Sequence, residues 1–344
     1  MKKGKIRTLI SVVLFTLLLA GCTDGEAPSG TLEETAVSQN TAAPSEATSD
    51  NSVSADGIPE NAEALILENS SVEATETMEF TIDEHMCARF TSYDLDTSYD
   101  ETTATLLTFS QQDLSVAGEG VTVDGNRVCI TGAGTYILEG TLSDGQIYIN
   151  AGDNDKVHLI LRGVSLSCSD GPAIYSANAD KTIITLAENT ENYCSDGATY
   201  YSDDANGCIF SKQDLTINGT GSLYVTGNFG NGISTKDDLR IYGATIEISA
   251  VNNGLKGNDS VSILDAIITV TGSDDGIKAD NDTDLDKGFI FISNSYLDIT
   301  ANDDALQAYR AFIFPDGTIY LRCFGKDINC DGLTEIGGAM IPWI

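Results

Sequence analysis

Asn231-Gly232-Ile233-Ser234-Thr235-Lys236-Asp237-Asp238-Leu239, Asn253-Gly254-Leu255-Lys256-Gly257-Asn258-Asp259 and Asp275-Gly276-Ile277-Lys278-Ala279-Asp280-Asn281 are three versions of one phrase. Each opens on a turn pair and continues into a short apolar strand. The apolar residue after the turn recurs at Ile209, Ile233, Leu255, Ile277, Leu306 and Ile328, in steps of 24, 22, 22, 29 and 22 residues. The long step holds an acidic insertion, Asn281-Asp282-Thr283-Asp284-Leu285-Asp286-Lys287-Gly288. Between anchors lie second alternating strands: Thr245-Ile246-Glu247-Ile248, Ile267-Ile268-Thr269-Val270 and Tyr296-Leu297-Asp298-Ile299. A fixed period of this length marks a solenoid, in which equivalent residues of successive coils stack about 4.8 Å apart in columns. The pattern predicts an all-β, right-handed parallel β-helix. Leucine-rich repeats have similar periods, but their Leu/Asn spacing is missing. No helical period of useful length follows the first segment.

The columns carry chemistry. Two positions before the anchor stand Asn231, Asn253, Asp275 and Asp304, with Asn206 in looser register; three before it stand Gly230, Asn252, Asp274 and Asp303. Asp274-Asp275 is therefore predicted to lie beside Asp303-Asp304 on the next coil. Four such carboxylates repel one another unless they are protonated or share a cation. Outside a cell the cation with the right preference for flexible oxygen donors is Ca2+. Asp280 and Asp282 follow on the same coil and extend the candidate metal set. Four positions after the anchor come Gln213, Asp237, Asp259 and Asn281, which place Asp237 and Asp259 on neighbouring coils. Taken singly, each Asp or Asn reads equally well as a turn former.

Lys256 and Lys278 stand one position after the anchor, and Lys212 and Lys236 three after it. A lysine beside calcium is a candidate base for removing the proton next to a uronate carboxylate. The competing roles are neutralising the aspartate columns and binding an acidic sugar, with Lys236, Lys256 and Lys278 as the ligand-facing set. Tyr193, Tyr200, Tyr201, Tyr224, Phe229, Tyr242, Tyr296 and Tyr309 are available as stacking platforms, although most alternate with apolar neighbours as packing residues do. No Ser/His/Asp triad, phosphate loop or dinucleotide motif is present.

The chain has 344 residues and a formal charge of −34, which argues against nucleic acid as a partner. Lys2, Lys3, Lys5 and Arg7 precede an apolar run from Leu9 to Ala20 that is too short to span a bilayer. Leu19-Ala20-Gly21-Cys22 then resembles a bacterial lipobox, which implies cleavage before Cys22 and lipid on its sulfur. Residues 1–22 read as a lipoprotein signal peptide and 23–80 as a Ser/Thr-rich, acidic, disordered tether. Residues 81–344 read as the β-helix. The expected location is the extracellular face of the cell membrane, held by the lipid. The eight cysteines match no zinc template; Cys194 with Cys208 is one candidate bridge, and small buried core residues are the other reading.

Between about Gly118 and Asp331 the sequence resembles a family of secreted bacterial carbohydrate-binding-domain lipoproteins, calcium-binding β-helices related in shape to polysaccharide lyases. The runs that carry the resemblance include Gly134-Thr135-Tyr136-Ile137-Leu138-Glu139-Gly140-Thr141-Leu142, Gly171-Pro172-Ala173-Ile174-Tyr175 and Asp214-Leu215-Thr216-Ile217-Asn218-Gly219-Thr220-Gly221-Ser222-Leu223. Asn231–Leu239 and Asp274–Asp280, whose residues are quoted above, complete it. The resemblance implies binding of a plant cell-wall polysaccharide, cellulose or an acidic pectin-like polyuronate, and several structural calcium ions. A calcium-dependent pectate-type lyase using Lys256 or Lys278, and a non-enzymatic adhesin or spacer, are the alternatives. The family pattern continues with further coils where this sequence starts one more at Asp327-Ile328-Asn329, which leaves either a short cap from Gly337 to Ile344 or a truncated end.

Overall fold

The computed structural model describes residues 77–111, 113–201, 204–272 and 274–342. The signal segment, Cys22, nearly all of the expected tether and Trp343 lie outside the described residues. The first strand, Met78–Thr81, straddles the boundary set at residue 80.

Three strand ladders wind into a parallel β-helix; the second runs through Lys181–Leu186, Asp214–Gly219, Asp238–Tyr242, Ser260–Leu264, Phe289–Ser293, Ala311–Phe314 and Leu333–Ile336, and the third through Glu191–Ser195, Ser222–Gly227, Thr245–Ala250, Ile267–Gly272, Ser295–Ala301, Gly317–Cys323 and Ala339–Pro342. The first is a ten-stranded sheet of short strands that runs in register through Gln146–Asn150, Ile174–Asn178, Gly207–Ser211, Asn231–Thr235, Leu255–Gly257, Ile277–Ala279, Leu306–Ala308 and Ile328–Cys330. The anchors fall where the repeat predicts: Ile209 pairs with Ile233, Ile233 with Leu255, Leu255 with Ile277, Ile277 with Leu306 and Leu306 with Ile328. The column also continues upward through Ile174 to Ile147, beyond the repeats that the turn pairs mark. These side chains point inward with those of the other two ladders into one apolar core.

The turn glycines have a packing reason. A Cβ on Gly232, Gly254 or Gly276 would run into Ile248, Val270 or Ile299 respectively, side chains of the third ladder. Where the second ladder turns into the third, Asp265 and Asn294 adopt φ of 54° and 44°, a left-handed conformation that these residue types tolerate. Asn294 Nδ2 donates to Asp265 Oδ1 at 2.6 Å.

The outer face of the second ladder is covered. The antiparallel pair Met78–Thr81 and Cys87–Phe90 leads into a one-turn helix, Ser92–Leu95. Phe90 and Leu95 pack with Leu264, Phe289, Phe291 and Ile313, and Phe80 lies 4.6 Å from Phe291 between ring centroids. Asp94 locks this segment down. It is wholly buried, accepts hydrogen bonds from Thr91 Oγ1 and Thr216 Oγ1, and pairs with Lys181 Nζ at 2.6 Å. Burial alone would raise its pKa, but the charges of Lys181 and Arg240 outweigh it and hold the carboxyl below the usual carboxylate range.

The last coil is a complete three-strand turn. Ile328–Cys330, Leu333–Ile336 and Ala339–Pro342 each pair in parallel with the coil before. The segment from Gly337 expected as a cap is therefore mostly the third strand of that coil, with Leu333, Ile336 and Ile341 partly exposed along its edge. All seven described cysteines are free thiols, so Cys194 and Cys208 are not bridged; both are buried.

Candidate functional site

With the second ladder covered, the outward residues of the short-strand ladder form a strip that is partly accessible at Tyr148, Lys256, Lys278 and Gln307, while Tyr175, Phe210 and Ser234 within it are buried. The column one position after the anchors changes character along its length. It begins with Tyr148, Tyr175 and Phe210 and, after Ser234, becomes Lys256, Lys278 and Gln307.

At the aromatic end a groove of about 440 Å³ is lined by Tyr148, Tyr175, Tyr200, Tyr201, Arg127 and Lys212 among others. Tyr148 and Tyr175 meet edge to face with centroids 5.4 Å apart, and Tyr175 lies 5.5 Å from Phe210. Arg127 sits over Tyr148 at 5.1 Å and Lys212 over Tyr175 at 5.9 Å, both within cation–π range. One wall comes from Tyr200, Tyr201, Asp204 and Ala205, which lie in the stretch of sequence that makes the step from Ile174 to Ile209 longer than the repeat. Asp196 anchors that wall: it accepts from Asn228 N and from the Tyr200 hydroxyl at 2.5 Å each. Burial pushes the Asp196 carboxyl up against the pull of those donors. Burial and the Asp196 contact together push the Tyr200 hydroxyl far above its ordinary range.

At the other end the predicted carboxylates do come together in part. Asp303 N donates to Asp274 O at 3.1 Å, and Asp304 N to Asp275 Oδ1 at 3.2 Å, so the two pairs sit on adjacent coils in register. Carboxylate oxygens of Asp274, Asp275 and Asp303 lie within 4.8 Å of one another. Asp304 turns elsewhere: it accepts from Lys326 N at 2.7 Å and from Asn329 Nδ2 at 2.6 Å. Asp275 is buried, which pushes its carboxyl up, although Lys278 at 2.8 Å pulls the other way. Asp275 and Asp304 also continue a hydrogen-bond column that starts with asparagines. Asn253 N reaches Asn231 Oδ1 at 3.2 Å, and Asp275 N reaches Asn253 Oδ1 at 3.3 Å. Each side chain thus caps the backbone of the next coil.

The remaining candidates separate. Asp280 pairs with Lys256 at 2.7 Å. Asp282 lies in the acidic insertion, where its backbone carbonyl accepts from Arg310 at 2.9 Å. Asp259 accepts from Asn281 Nδ2 at 2.7 Å and pairs with Lys287 at 2.8 Å. Asp237, its neighbour one coil back, is half-buried; burial and the charge of Asp259 push it up to about 6. Lys236 is exposed. Lys278 would be lowered by burial, but its bond to Asp275 dominates and its pKa is raised.

Sequence reasoning named Tyr200 and Tyr201 but overlooked Tyr148 and Tyr175. Their signal was available: each follows an apolar residue by one position, as Lys256 and Lys278 do.

A stacked solenoid with an open outer strip, rather than a deep enclosed pocket, suits an extended ligand laid along or across the coils. A family model described as carbohydrate-binding domain-containing protein matches residues 124–335, and the chain belongs to that family. A relative in Acetivibrio thermocellus, also described as a carbohydrate-binding domain-containing protein, is 40% identical over 223 residues, 63% of this chain and 78% of its own length. Among solved structures, a gadolinium derivative of a polysaccharide lyase-like protein from C. thermocellum superposes with a TM-score of 0.67 at 34% identity. The match covers 69% of this chain and 99% of that one.

Proposed function

We propose that this chain is a surface-anchored, calcium-dependent carbohydrate-binding protein that holds a plant cell-wall polysaccharide, cellulose or an acidic pectin-like polymer, along the outer face of the short-strand ladder. The observation that carries the reading is the outward column itself. At one end it offers the partly exposed Tyr148, with exposed Tyr201 beside it in the groove, and at the other lysine and amide donors, on a chain of the carbohydrate-binding domain family. Aromatic faces stack on sugar rings, and Lys236, Lys256 and Lys278 supply positive charge to an anionic polymer.

Calcium fits the donors present. Asp274, Asp275 and Asp303 offer closely grouped carboxylate oxygens, the ligand type this ion takes, and Asp275 is a buried carboxylate raised by desolvation. A bound Ca2+ would supply charge that offsets their repulsion and stiffens the two coils. Asp237 and Asp259 are a second pair of this kind, with Lys287 already sharing their charge. Membrane attachment rests on Cys22, and its test is release of the protein from the membrane fraction by Cys22→Ala.

The lyase alternative is weaker. A lysine base must be deprotonated at working pH, which requires a lowered pKa. Lys256 and Lys278 are each held in ion pairs, and Lys278 moves the opposite way. Incubation with polygalacturonate should yield no unsaturated ends in the ultraviolet; their steady release would reinstate the enzyme. A pull-down panel of insoluble and gel-embedded polysaccharides, with calcium and with chelator, tests the binding reading. Retention of at least one polymer supports it. No retention at all would favour an adhesin or spacer that binds no sugar. An equilibrium Ca2+ titration with neither stoichiometric uptake nor a melting shift on chelation would end the calcium claim.

A further inference from the structure

The aromatic groove and the aspartate cluster lie at opposite ends of the same strip, and their chemistry differs. The groove is rich in acceptors. Asp124, Asp170 and Asp204 line it with Gln146, against the two cations Arg127 and Lys212, and Lys212 is already bonded to Asp204 at 3.2 Å. An anionic sugar would meet more negative than positive groups there. A neutral sugar, whose hydroxyls donate, would meet partners on every side. Gln146 adds an independent sign. Its side chain is 4% exposed and its Nε2 donates to Pro172 O at 3.0 Å, yet its Oε1 is buried with no hydrogen-bond partner. A buried acceptor left unsatisfied is costly, so a donor at this position is favoured. The neighbouring rings supply the stacking surface: Tyr148 is partly exposed and Tyr201 is 89% exposed on the rim.

We infer that this groove is a subsite for a neutral hexopyranose unit of a glucan chain, with ring faces against Tyr148 and Tyr201 and hydroxyls donating to Gln146 Oε1 and the groove carboxylates. It is separate from the aspartate cluster and works without calcium. The inference rests on the carbohydrate-binding reading and narrows it: two sugar chemistries would be served by two ends of one strip. An acidic polymer would depend on the lysine and calcium end, and a neutral one on the groove.

The test is isothermal titration of the full chain with cellohexaose and, separately, with hexagalacturonate, each in calcium and in EGTA. The expected result is saturable cellohexaose binding that EGTA changes by less than about twofold. Tyr201→Ala, at an exposed position where folding is not at stake, should weaken it about tenfold. Gln146→Leu should weaken it comparably while Glu247→Ala, exposed on the third ladder, does not; the melting curve of Gln146→Leu separates lost binding from lost fold. Hexagalacturonate binding alone would overturn the subsite and leave the carbohydrate reading standing. Cellohexaose binding that is lost in EGTA, or that Tyr201→Ala and Gln146→Leu leave intact, would also overturn it. Binding of neither sugar, together with no retention in the polysaccharide panel, would remove both.

Discussion

Asp94 and His158 show how single residues set the terms for the outer face of the second ladder. Asp94 is a fully buried carboxylate whose partners come from two directions: Thr91 from its own segment, and Lys181 and Thr216 from the solenoid. Removing it strands Lys181, itself buried, without its closest carboxylate. Asp94→Ala should therefore cost about 3–5 kcal/mol in urea denaturation. A loss below about 1 kcal/mol would mean that the N-terminal segment is not docked as described. His158 lies on the same face and shares a 2.6 Å hydrogen bond with Thr185 Oγ1. Burial drives its pKa down to about 4 from 6.5, with only a small opposing pull from Asp96. The unfolded chain thus binds a proton more readily between those values. The stability that His158 contributes is whole above pH 6.5 and drains away as pH falls toward 4. His158→Gln should flatten that limb of the stability–pH curve; an unchanged limb would contradict the assignment.

Within the strands, inward and outward positions alternate residue by residue, and neighbours should behave oppositely. Ile277 is fully buried in the anchor column, so Ile277→Ala should cost about 2–5 kcal/mol. Lys256, on the outward column with a partly exposed partner in Asp280, should cost under about 1 kcal/mol when changed to alanine. Thermal or denaturant melts of the two variants check the register directly. Asn253 tests the turn column. Its amide donates to Asn231 Oδ1 at 2.8 Å and its oxygen caps the next coil, so Asn253→Ala should cost about 1–3 kcal/mol despite removing no apolar group. The register was legible in the sequence because the turn residues and the anchor apolar residue recur together. Gly232, Gly254 and Gly276 repeat because Ile248, Val270 and Ile299 leave no room for a side chain. The partnerships were less legible. A repeat places Asp275 beside Asp304, but it does not say that Asp304 will turn to Lys326 and Asn329 or that Lys278 will swing back three residues to Asp275.

Across the whole described molecule, the three ladders have different fates. The second is covered by the N-terminal hairpin, the third displays a mixed set such as the stacked Tyr193 and Tyr224, and the first displays the aromatic-to-lysine strip. The periodicity announced the solenoid, yet it was silent on which face would be covered, because Met78–Leu95 lies outside the repeat. It was silent on the groove for a related reason: the Asp196–Asn206 segment breaks the period, and tyrosines beside isoleucines look like core until the coil is closed. The proposed calcium would act at this scale too. If Asp274, Asp275 and Asp303 hold the ion, chelation should lower the melting temperature of the full chain, and Asp274→Asn with Asp303→Asn should abolish that sensitivity. The central claim is that sugar is held by the outer face of the first ladder. Its most direct test is co-sedimentation of the full chain with polysaccharide, comparing a doubly substituted first-ladder strip, Tyr148→Ala with Lys256→Ala, against a third-ladder control, Glu247→Ala. The account predicts retention several-fold weaker for the first and unchanged for the second. Unchanged retention by the strip variant, or loss through the Glu247 control alone, would contradict it.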